Sequence, residues 1–319
     1  MATGSGAIVV HRQLEQKIEG YRIRAVSPKL SVFPELLSSI REFAPVTHTG
    51  ADLSIHAVHP DSKLVTMFHN FYLDDFMLKN ASALQRVYYK AVMERHVKKS
   101  IKRANKVIAV SDFTANLVSS HFAGCPVDVI KNGVDDKLFA PFDTRVNPDD
   151  RPIRVLFCGN PTRRKGGHLL AQVAEALPEN SLLCYTSFRE SAVGYSSPKL
   201  QEIKPVPHIE MPSIYNGADV LFFPTRREGL SLAALEAMAC GLPVVTTNCS
   251  SMPELIINNM GGYLHEIDDL QGMVGSLKKL IADRALREAM GAFNRERVER
   301  YFRLQRVVNE YQSLFDSLV

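Results

Sequence analysis

Residues Val220 to Val245 have the sequence VLFFPTRREGLSLAALEAMACGLPVV, and this stretch decides the fold. An apolar run ends at Pro224, which predicts a buried strand followed by a short polar loop. A helix is predicted to begin near Ser231, and the apolar residues after it predict the next strand. Strands and helices that alternate in this way are typical of an α/β fold with a parallel sheet.

The same alternation continues through the second half of the chain. Strands are predicted at Ile153–Cys158, Leu182–Thr186, Val220–Phe223, Val244–Thr246 and Tyr263–Leu264. Helices are predicted at Gly167–Leu177, Ser231–Ala239 and Leu270–Ile281, with two or three more between Arg284 and Val319. This order of elements predicts a Rossmann-like domain.

The first half shows a similar rhythm. Strands are predicted at Tyr21–Val26, Leu53–Val58, Leu64–Phe68, Val107–Val110 and Val127–Ile130, and helices at Ile8–Ile18, Ala81–Ala104 and Ser111–His121. A Rossmann domain opens with a strand that leads into a Gly-rich turn and a helix. Here Gly4, Ser5 and Gly6 come almost at once. Either the first strand is absent or the sequence is recorded from a late start.

A polar segment at residues 141–152, which contains three prolines, separates the two halves. Such a segment is typical of a linker between domains. We therefore predict one domain over residues 1–145, a second over residues 146–300, and a final helix over residues 301–319.

Composition excludes several classes of protein. The chain has 319 residues, 45% hydrophobic residues and a formal net charge of +4, which argues against a disordered chain and against a dedicated nucleic-acid binder. Its five cysteines form no CxxC pair, so reduced buried thiols are expected. No secretory signal and no apolar run long enough to span a membrane is evident, so we expect a cytoplasmic protein.

The loop after Pro224 has the properties of an anion site. Backbone N–H groups of Gly229, Leu230 and Ser231 would lie at a helix N-terminus, at the edge of the sheet where ligands bind in open α/β folds. Two carboxylates, Glu228 and Glu236, bracket this element; one such group could accept hydrogen bonds from a sugar and another from a ribose diol. The alternative is that Glu236 is an ordinary polar residue on a half-buried helix.

A basic turn follows the first strand of the second domain. In this turn, GNPTRRKGG, the ammonium group of Lys165 could stabilise a departing diphosphate. Arg163 or Arg164 could add positive charge from another direction. A basic surface turn is the alternative and suits one of the two arginines.

His69 stands at the end of a predicted strand in the first domain. A single histidine in this place has either a structural or a catalytic role. The neighbouring histidines lack the spacing of a metal site, and no Asp-x-Asp motif follows a strand, so we expect no obligatory metal.

Six basic residues recur at helical spacing with no acid among them. They are Arg95, Lys98, Lys99, Lys102, Arg103 and Lys106. One interpretation is the ordinary solvated face of an amphipathic helix. The other is contact with an anionic membrane surface or with a lipid-diphosphate acceptor.

Taken together, these motifs resemble those of the retaining glycosyltransferases of family 4, which have the two-domain GT-B fold. The resemblance rests on the EGLSL…LEAMACG…PVV string, with seven residues between its two Glu residues, and covers nearly the whole chain. Further matches are Val110-Ser111, Asn132-Gly133-Val134-Asp135 and Gly261-Gly262-Tyr263-Leu264. The family has Arg where this chain has Asn160, which is a departure in the diphosphate-binding turn.

The resemblance implies two Rossmann-like domains that face each other across a cleft, with the acceptor in the first domain and the donor in the second. The final helix would pack back on the first domain. Glu236 would bind the ribose, Glu228 the transferred sugar, and Lys165 with the amides of Gly229 to Ser231 the phosphates. His69 would lie near the transferring bond, and the turn at Gly6 would cover the donor phosphates.

The predicted function is therefore transfer of a sugar, with retention and without a metal, from a UDP-sugar or GDP-sugar to a hydroxyl of a glycan or lipid-linked acceptor. No cofactor is expected. Polysaccharide synthesis at the inner face of the membrane is the expected setting. Two alternatives remain: a nucleotide-sugar 2-epimerase of similar fold, and a non-catalytic glycosyltransferase-like partner protein.

Overall fold

Two parallel sheets organise the chain, one in each half. The computed structural model describes residues 6–24, 37–38, 41–52, 55–142, 151–187 and 197–319. The chain forms two compact units, one made of Met1–Asn132 with Leu304–Val319 and the other of Gly133–Arg303.

In the first unit, helices flank a four-stranded parallel sheet of order β1-β2-β3-β4. The elements, in chain order, are α1 (Gly6–Lys17), β1 (Val46–Gly50), β2 (Lys63–Phe68), α2 (Asp75–Asn80), α3 (Ala83–Tyr88), a π-helical turn (Tyr89–Met93), α4 (Glu94–Arg103), β3 (Lys106–Ala109), α5 (Asp112–His121) and β4 (Asp128–Val129). Helix α5 begins after Ser111, whose side chain accepts the Thr114 N–H, as expected for an N-cap.

Several predictions in this unit were wrong in part. Residues 55–57 form a 3-10 turn instead of the predicted strand over Leu53–Val58, and residues 53–54 lie outside the described part. Strand β1 was not predicted, because its residues VTHTG are only half-buried and carry no apolar run. No strand forms at residues 21–24, and residues 25–26 are not among those described. The long predicted helix begins only after Ser82, which closes a capping box with Gln85.

In the second unit, helices flank a six-stranded parallel sheet. Its elements are β5 (Ile153–Phe157), α6 (Leu170–Ala176), β6 (Ser181–Thr186), β7 (Leu200–Ile203), α7 (Met211–Asn216), β8 (Val220–Phe223), α8 (Leu232–Ala239), β9 (Val244–Thr247), α9 (Met252–Leu255), β10 (Gly262–His265), α10 (Leu270–Ala282) and α11 (Arg284–Tyr301). All five strands predicted here are present, and β7, α7 and α9 were missed.

The order of this sheet locates its ligand edge. The strands run β10-β9-β8-β5-β6-β7, which is the doubly wound order of a Rossmann domain read from one side. The order reverses between β5 and β8, and ligands in such sheets bind at that switch point, beyond the carboxyl ends of the strands. Val155 and Phe157 of β5 and Val220 and Phe222 of β8 are completely buried and belong to one hydrophobic core, so the switch point is formed by well-packed strands.

Residues 133–142 pack with the second unit. The Phe142 N–H donates to Asn216 Oδ1 at 2.8 Å, and Asn216 Nδ2 donates to the Ala140 carbonyl at 2.9 Å. The Arg295 guanidinium donates to the Phe139 carbonyl at 2.8 Å. The chain therefore joins the second unit before the proline-rich segment.

The last helix, α12 (Leu304–Asp316), belongs to the first unit. The Tyr311 hydroxyl donates to Met67 Sδ at 3.2 Å, and the Tyr311 ring lies 5.1 Å from the ring of His48. Val307 and Val308 are also buried. Among the described residues, no helix combines the length and the apolar character that crossing a membrane requires.

Candidate functional site

The ammonium group of Lys165 lies over the carboxyl ends of the two switch-point strands. Its Nζ is 5.3 Å from the centre of the Phe223 ring, at the end of β8. It also lies against Gly159, just after β5, where an added Cβ would stand 2.9 Å from Nζ. Gly159 has a φ of +123°, so both its conformation and the space favour glycine. The basic turn that was recognised in the sequence thus brings Lys165 to the carboxyl ends of β5 and β8.

The turn that carries Lys165 is locked against the end of β8. Thr162 caps the turn by accepting the Lys165 N–H. Gly166 follows with a φ of +79°, and a Cβ there would lie 2.2 Å from the Pro224 carbonyl oxygen. The basic turn and the loop after β8 therefore touch through backbone atoms, and no larger residue fits between them.

Glu228 is held by groups from both loops. The Arg164 guanidinium donates to Glu228 Oε1 at 3.1 Å and to the Arg227 carbonyl at 2.5 Å. The Thr225 hydroxyl lies 3.3 Å from the same Oε1. The Glu228 N–H donates to Ser250 Oγ at 3.0 Å. One carboxylate oxygen is thus fixed by the protein, in a side chain that is 12% exposed.

Arg164 was predicted to add positive charge for the donor phosphates, and that role stays a prediction. In the structure its guanidinium pairs with the Glu228 carboxylate, which is largely buried and requires a partner. Arg163, in the same turn, is exposed. Asn160 is half-buried beside Gly159, and its carbonyl accepts the Thr162 N–H at 2.7 Å.

Helix α8 begins at the edge of the sheet where Lys165 lies. Ser231 caps it by accepting the Ala234 N–H at 3.3 Å. Gly229, Leu230 and Ser231 are all buried in the turn that leads from Glu228 into the helix. The partial positive charge of a helix N-terminus is therefore added to that of Lys165 at the same edge.

Glu236 has partners that the sequence did not reveal. The Tyr215 hydroxyl donates to its Oε2 at 2.8 Å, and His208 Nε2 donates to its Oε1 at 2.8 Å. This hydrogen bond raises the pKa of His208, while burial raises the pKa of Tyr215 well above its ordinary value. The Glu236 carboxylate is only 7% exposed, so two donors offset the cost of burying it. Tyr215 lies in α7, and His208 lies in the turn just before it.

His69 follows β2 in the first unit and belongs to a histidine cluster. Its Nε2 lies 3.4 Å from His11 Nε2, and Tyr21 Oη bridges His11 Nδ1 at 2.5 Å and His48 Nδ1 at 3.0 Å. Burial, with a smaller effect of His11, lowers the pKa of His69 to about 3. Burial likewise lowers the pKa of His11 to about 4. Both imidazoles are therefore neutral at pH 7.

Gly6 is the exposed first residue of α1, and residues 4 and 5 of the predicted glycine turn lie outside the described part. In the portion of the chain that the structure describes, no group of three or more His, Cys, Asp or Glu is arranged to hold a metal ion.

The predicted basic stripe is smaller than the sequence suggested. Arg103 donates to the Pro60 and Ser62 carbonyls, both at 2.6 Å, and Lys106 pairs with Asp128 at 2.9 Å. These two side chains therefore hold the end of α4 and the start of β3 against neighbouring segments of the first unit, and they are not free to bind a ligand or a surface. The other four basic residues are exposed: Arg95, Lys98, Lys99 and Lys102.

Two family models match the chain on either side of the proline-rich segment. The model described as Glycosyltransferase Family 4 matches residues 22–138, and the model described as Glycosyl transferases group 1 matches residues 152–283. The chain belongs to the group 1, family 4 glycosyltransferases. Its predicted motifs lie in these two matched ranges, except for the glycine turn at residues 4–6.

A curated relative and two solved structures resemble this family member. The capsular polysaccharide biosynthesis glycosyltransferase CapM of Staphylococcus aureus is 35% identical over 36% of this chain and 30% of its own length. A sucrose-phosphate synthase from Thermosynechococcus elongatus has a TM-score of 0.75 at 19% identity, covering 93% of this chain and 80% of that one. The Anabaena protein HepE, in complex with UDP-glucose, has a TM-score of 0.67 at 17% identity, covering 84% of this chain and 75% of that one.

These likenesses confirm the predicted α/β fold of the GT-B class, with two Rossmann-like units. The chain spans between 26% and 65% of the length of the first five curated relatives that it matches.

Proposed function

We propose that this family member is a retaining glycosyltransferase that uses a UDP-sugar or GDP-sugar and needs no metal ion. One observation supports this most. Lys165 and the Glu228–Ser231 loop both lie at the switch point of the second sheet, beyond the carboxyl ends of β5 and β8. That arrangement offers positive charge for a diphosphate and, next to it, a carboxylate for sugar hydroxyls. A protein of similar fold is described as a complex with UDP-glucose.

In this proposal the phosphate groups lie between Lys165 Nζ and the start of α8. Both carry positive charge that is fixed before the substrate arrives, so they stabilise the leaving diphosphate without reorganisation. Glu228, whose Oε1 is held by Arg164 and Thr225, accepts sugar hydroxyls with its other oxygen. Glu236, oriented by Tyr215 and His208, accepts the ribose hydroxyls.

The chemical step follows from these charges. The bond between the anomeric carbon and the phosphate oxygen breaks, and the acceptor oxygen attacks the same face. The acceptor proton passes to an oxygen of the leaving phosphate, so the sugar keeps its configuration without a protein nucleophile. Burial keeps the His69 imidazole neutral, so it can share a hydrogen bond with a substrate hydroxyl, which is the role that we propose for it.

We further propose that the acceptor is a glycan or a lipid-linked glycan, used in polysaccharide synthesis on the cytoplasmic face of a membrane. The relative CapM is named for capsular polysaccharide biosynthesis. Four exposed basic residues lie on α4, and Leu84 and Val87 on the preceding helix are 81% and 64% exposed. Exposed apolar residues beside cations are typical of contact with an anionic membrane surface.

Nucleotide binding tests the donor site. Calorimetry without metal would compare UDP, GDP and ADP on the wild type, on Glu236→Ala and on Glu210→Ala, whose exposed carboxylate lies at the start of α7. We expect UDP or GDP to bind, Glu236→Ala to bind it at least tenfold more weakly, since a charged hydrogen bond is worth about 1.5–3 kcal/mol, and Glu210→Ala to be unchanged. Equal effects of the two substitutions would contradict the assignment.

Product analysis then tests the reaction. A transferase consumes the donor only when an acceptor is present and gives a glycoside of retained configuration. Turnover of the donor without any acceptor would indicate the epimerase. Nucleotide binding with no transfer to any member of an acceptor panel would favour the non-catalytic partner.

A further inference from the structure

The first unit contains a cavity that plays no part in the proposed transfer. It has a volume of about 520 Å³ and lies between the second half of α4, the start of β3 and the turn at residues 122–126. His69 follows the carboxyl end of β2, whereas this cavity opens at the amino end of β3. Because β2 and β3 are parallel, the two lie at opposite edges of the sheet.

The charges around this cavity are unbalanced. Lys106 pairs with Asp128 at 2.9 Å, and His121 Nε2 lies 3.3 Å from Glu94 Oε1. Lys98 and Lys102 also line the cavity, and neither forms an ion pair with a described residue. They are one helical turn apart on α4, where like charges repel, and a bound anion would relieve that repulsion.

The remaining wall is apolar and partly backbone. Ile101, Phe122 and Pro126 contribute to it. Gly124, in the same turn, has a φ of +79°, and a Cβ added there would meet no atom within 4 Å, so the turn leaves open space. A cationic rim over an apolar wall suits a ligand that carries phosphate on a partly apolar body.

We propose that this cavity binds a phosphate ester, with Lys98 and Lys102 as its two cationic contacts. The same chemistry is present in the headgroup of an anionic phospholipid and in a free phosphorylated small molecule. This site does not depend on sugar transfer. In this proposal an anionic ligand binds in the cavity itself, and is not simply attracted by the summed positive charge along α4.

The test compares two double variants that remove the same charge from the same helix. Lys98→Gln with Lys102→Gln removes the cavity lysines, and Arg95→Gln with Lys99→Gln removes two exposed cations that do not line the cavity. Glycerol 3-phosphate is the soluble probe, measured by calorimetry. Vesicles of phosphatidylcholine, with or without phosphatidylglycerol, are the lipid probe, measured by sedimentation. Circular dichroism confirms that each variant is folded.

We expect the Lys98→Gln, Lys102→Gln variant to bind at least tenfold more weakly, since each lysine near an anionic surface raises the affinity about fivefold. The control variant should lose clearly less. Binding of glycerol 3-phosphate would identify a free phosphate ester as sufficient, and binding to the phosphatidylglycerol vesicles alone would identify the headgroup. Equal losses in both variants would overturn the site in favour of diffuse attraction, and so would no binding of either probe to the wild type. Neither result bears on nucleotide binding by the second unit.

Discussion

Replacing Tyr215 with phenylalanine removes one oxygen atom from the interior of the second unit. The hydroxyl donates to Glu236 Oε2 at 2.8 Å and lies 3.1 Å from Cys158 Sγ. The side chain is fully buried, so no water can replace the lost donor without rearrangement. The ring itself stays packed, with its centre 6.0 Å from that of Phe139.

The expected cost follows from the charge of the acceptor. A hydrogen bond to a charged group contributes about 1.5–3 kcal/mol, and among the side chains that the structure describes the buried carboxylate would keep only His208 as its donor. We therefore expect the free energy of unfolding of the second unit to fall by about 2 kcal/mol. If the carboxylate also binds the ribose, nucleotide affinity should fall in the same variant.

Hydrogen exchange can follow each unit separately, through amides of β5 and β8 for the second unit and of β2 and β3 for the first. Tyr311→Phe is the matched control, because that hydroxyl is equally buried but donates to the thioether sulfur of Met67, a weak acceptor. It should cost the first unit less than about 1 kcal/mol. If Tyr215→Phe costs no more than Tyr311→Phe, the reasoning about Glu236 is wrong.

Three further predictions concern the second unit, and one of them has a control variant in the first unit. Gly166→Ala should lower the free energy of unfolding of the second unit by more than about 2 kcal/mol, because the added Cβ would meet the Pro224 carbonyl. Gly124→Ala is the control, since Gly124 has the same φ but open space around it, and it should cost only about 1 kcal/mol. Thermal or chemical denaturation measures both. The pKa of His208 is raised in the folded state, so its bond to Glu236 stabilises below about pH 6.5 and is lost as the pH rises through the raised value. The stability lost in His208→Gln should therefore be larger at acidic than at alkaline pH, by less than about 1 kcal/mol since the imidazole is 40% exposed; a loss independent of pH would contradict this. Lys165→Gln should lower kcat for transfer about 100-fold, whereas Arg163→Gln, which changes an exposed neighbour, should change it little; similar losses would remove Lys165 from its assigned role.

The second sheet was predictable because its strands are continuous apolar runs. Val220–Phe223 is completely buried on both faces, and such a strand is visible in the sequence without any partner. Strand β7, with residues LQEI, has two exposed side chains and carries no comparable signal. Helix α7 has six residues, which is too short to show a helical period.

The candidate site was predictable where a loop follows a recognisable strand. Lys165 and Glu228 satisfy that condition. Tyr215 and His208 do not, since they reach Glu236 from an element that the sequence did not reveal. The direction of the Arg164 side chain was likewise beyond prediction, because it depends on a carboxylate 64 positions away.

The first unit is made from two stretches of the chain that are separated by the whole second unit, and this sets an order for its folding during synthesis. Strand β2 leaves the ribosome well before Tyr311, Val307 and Val308 of α12, which cover its unit. Residues 133–303 are complete before α12 is made and can fold first. The sheet of the first unit is therefore made before that of the second unit but acquires its native core later, and a nascent chain halted near residue 303 would present an uncovered apolar surface to chaperones.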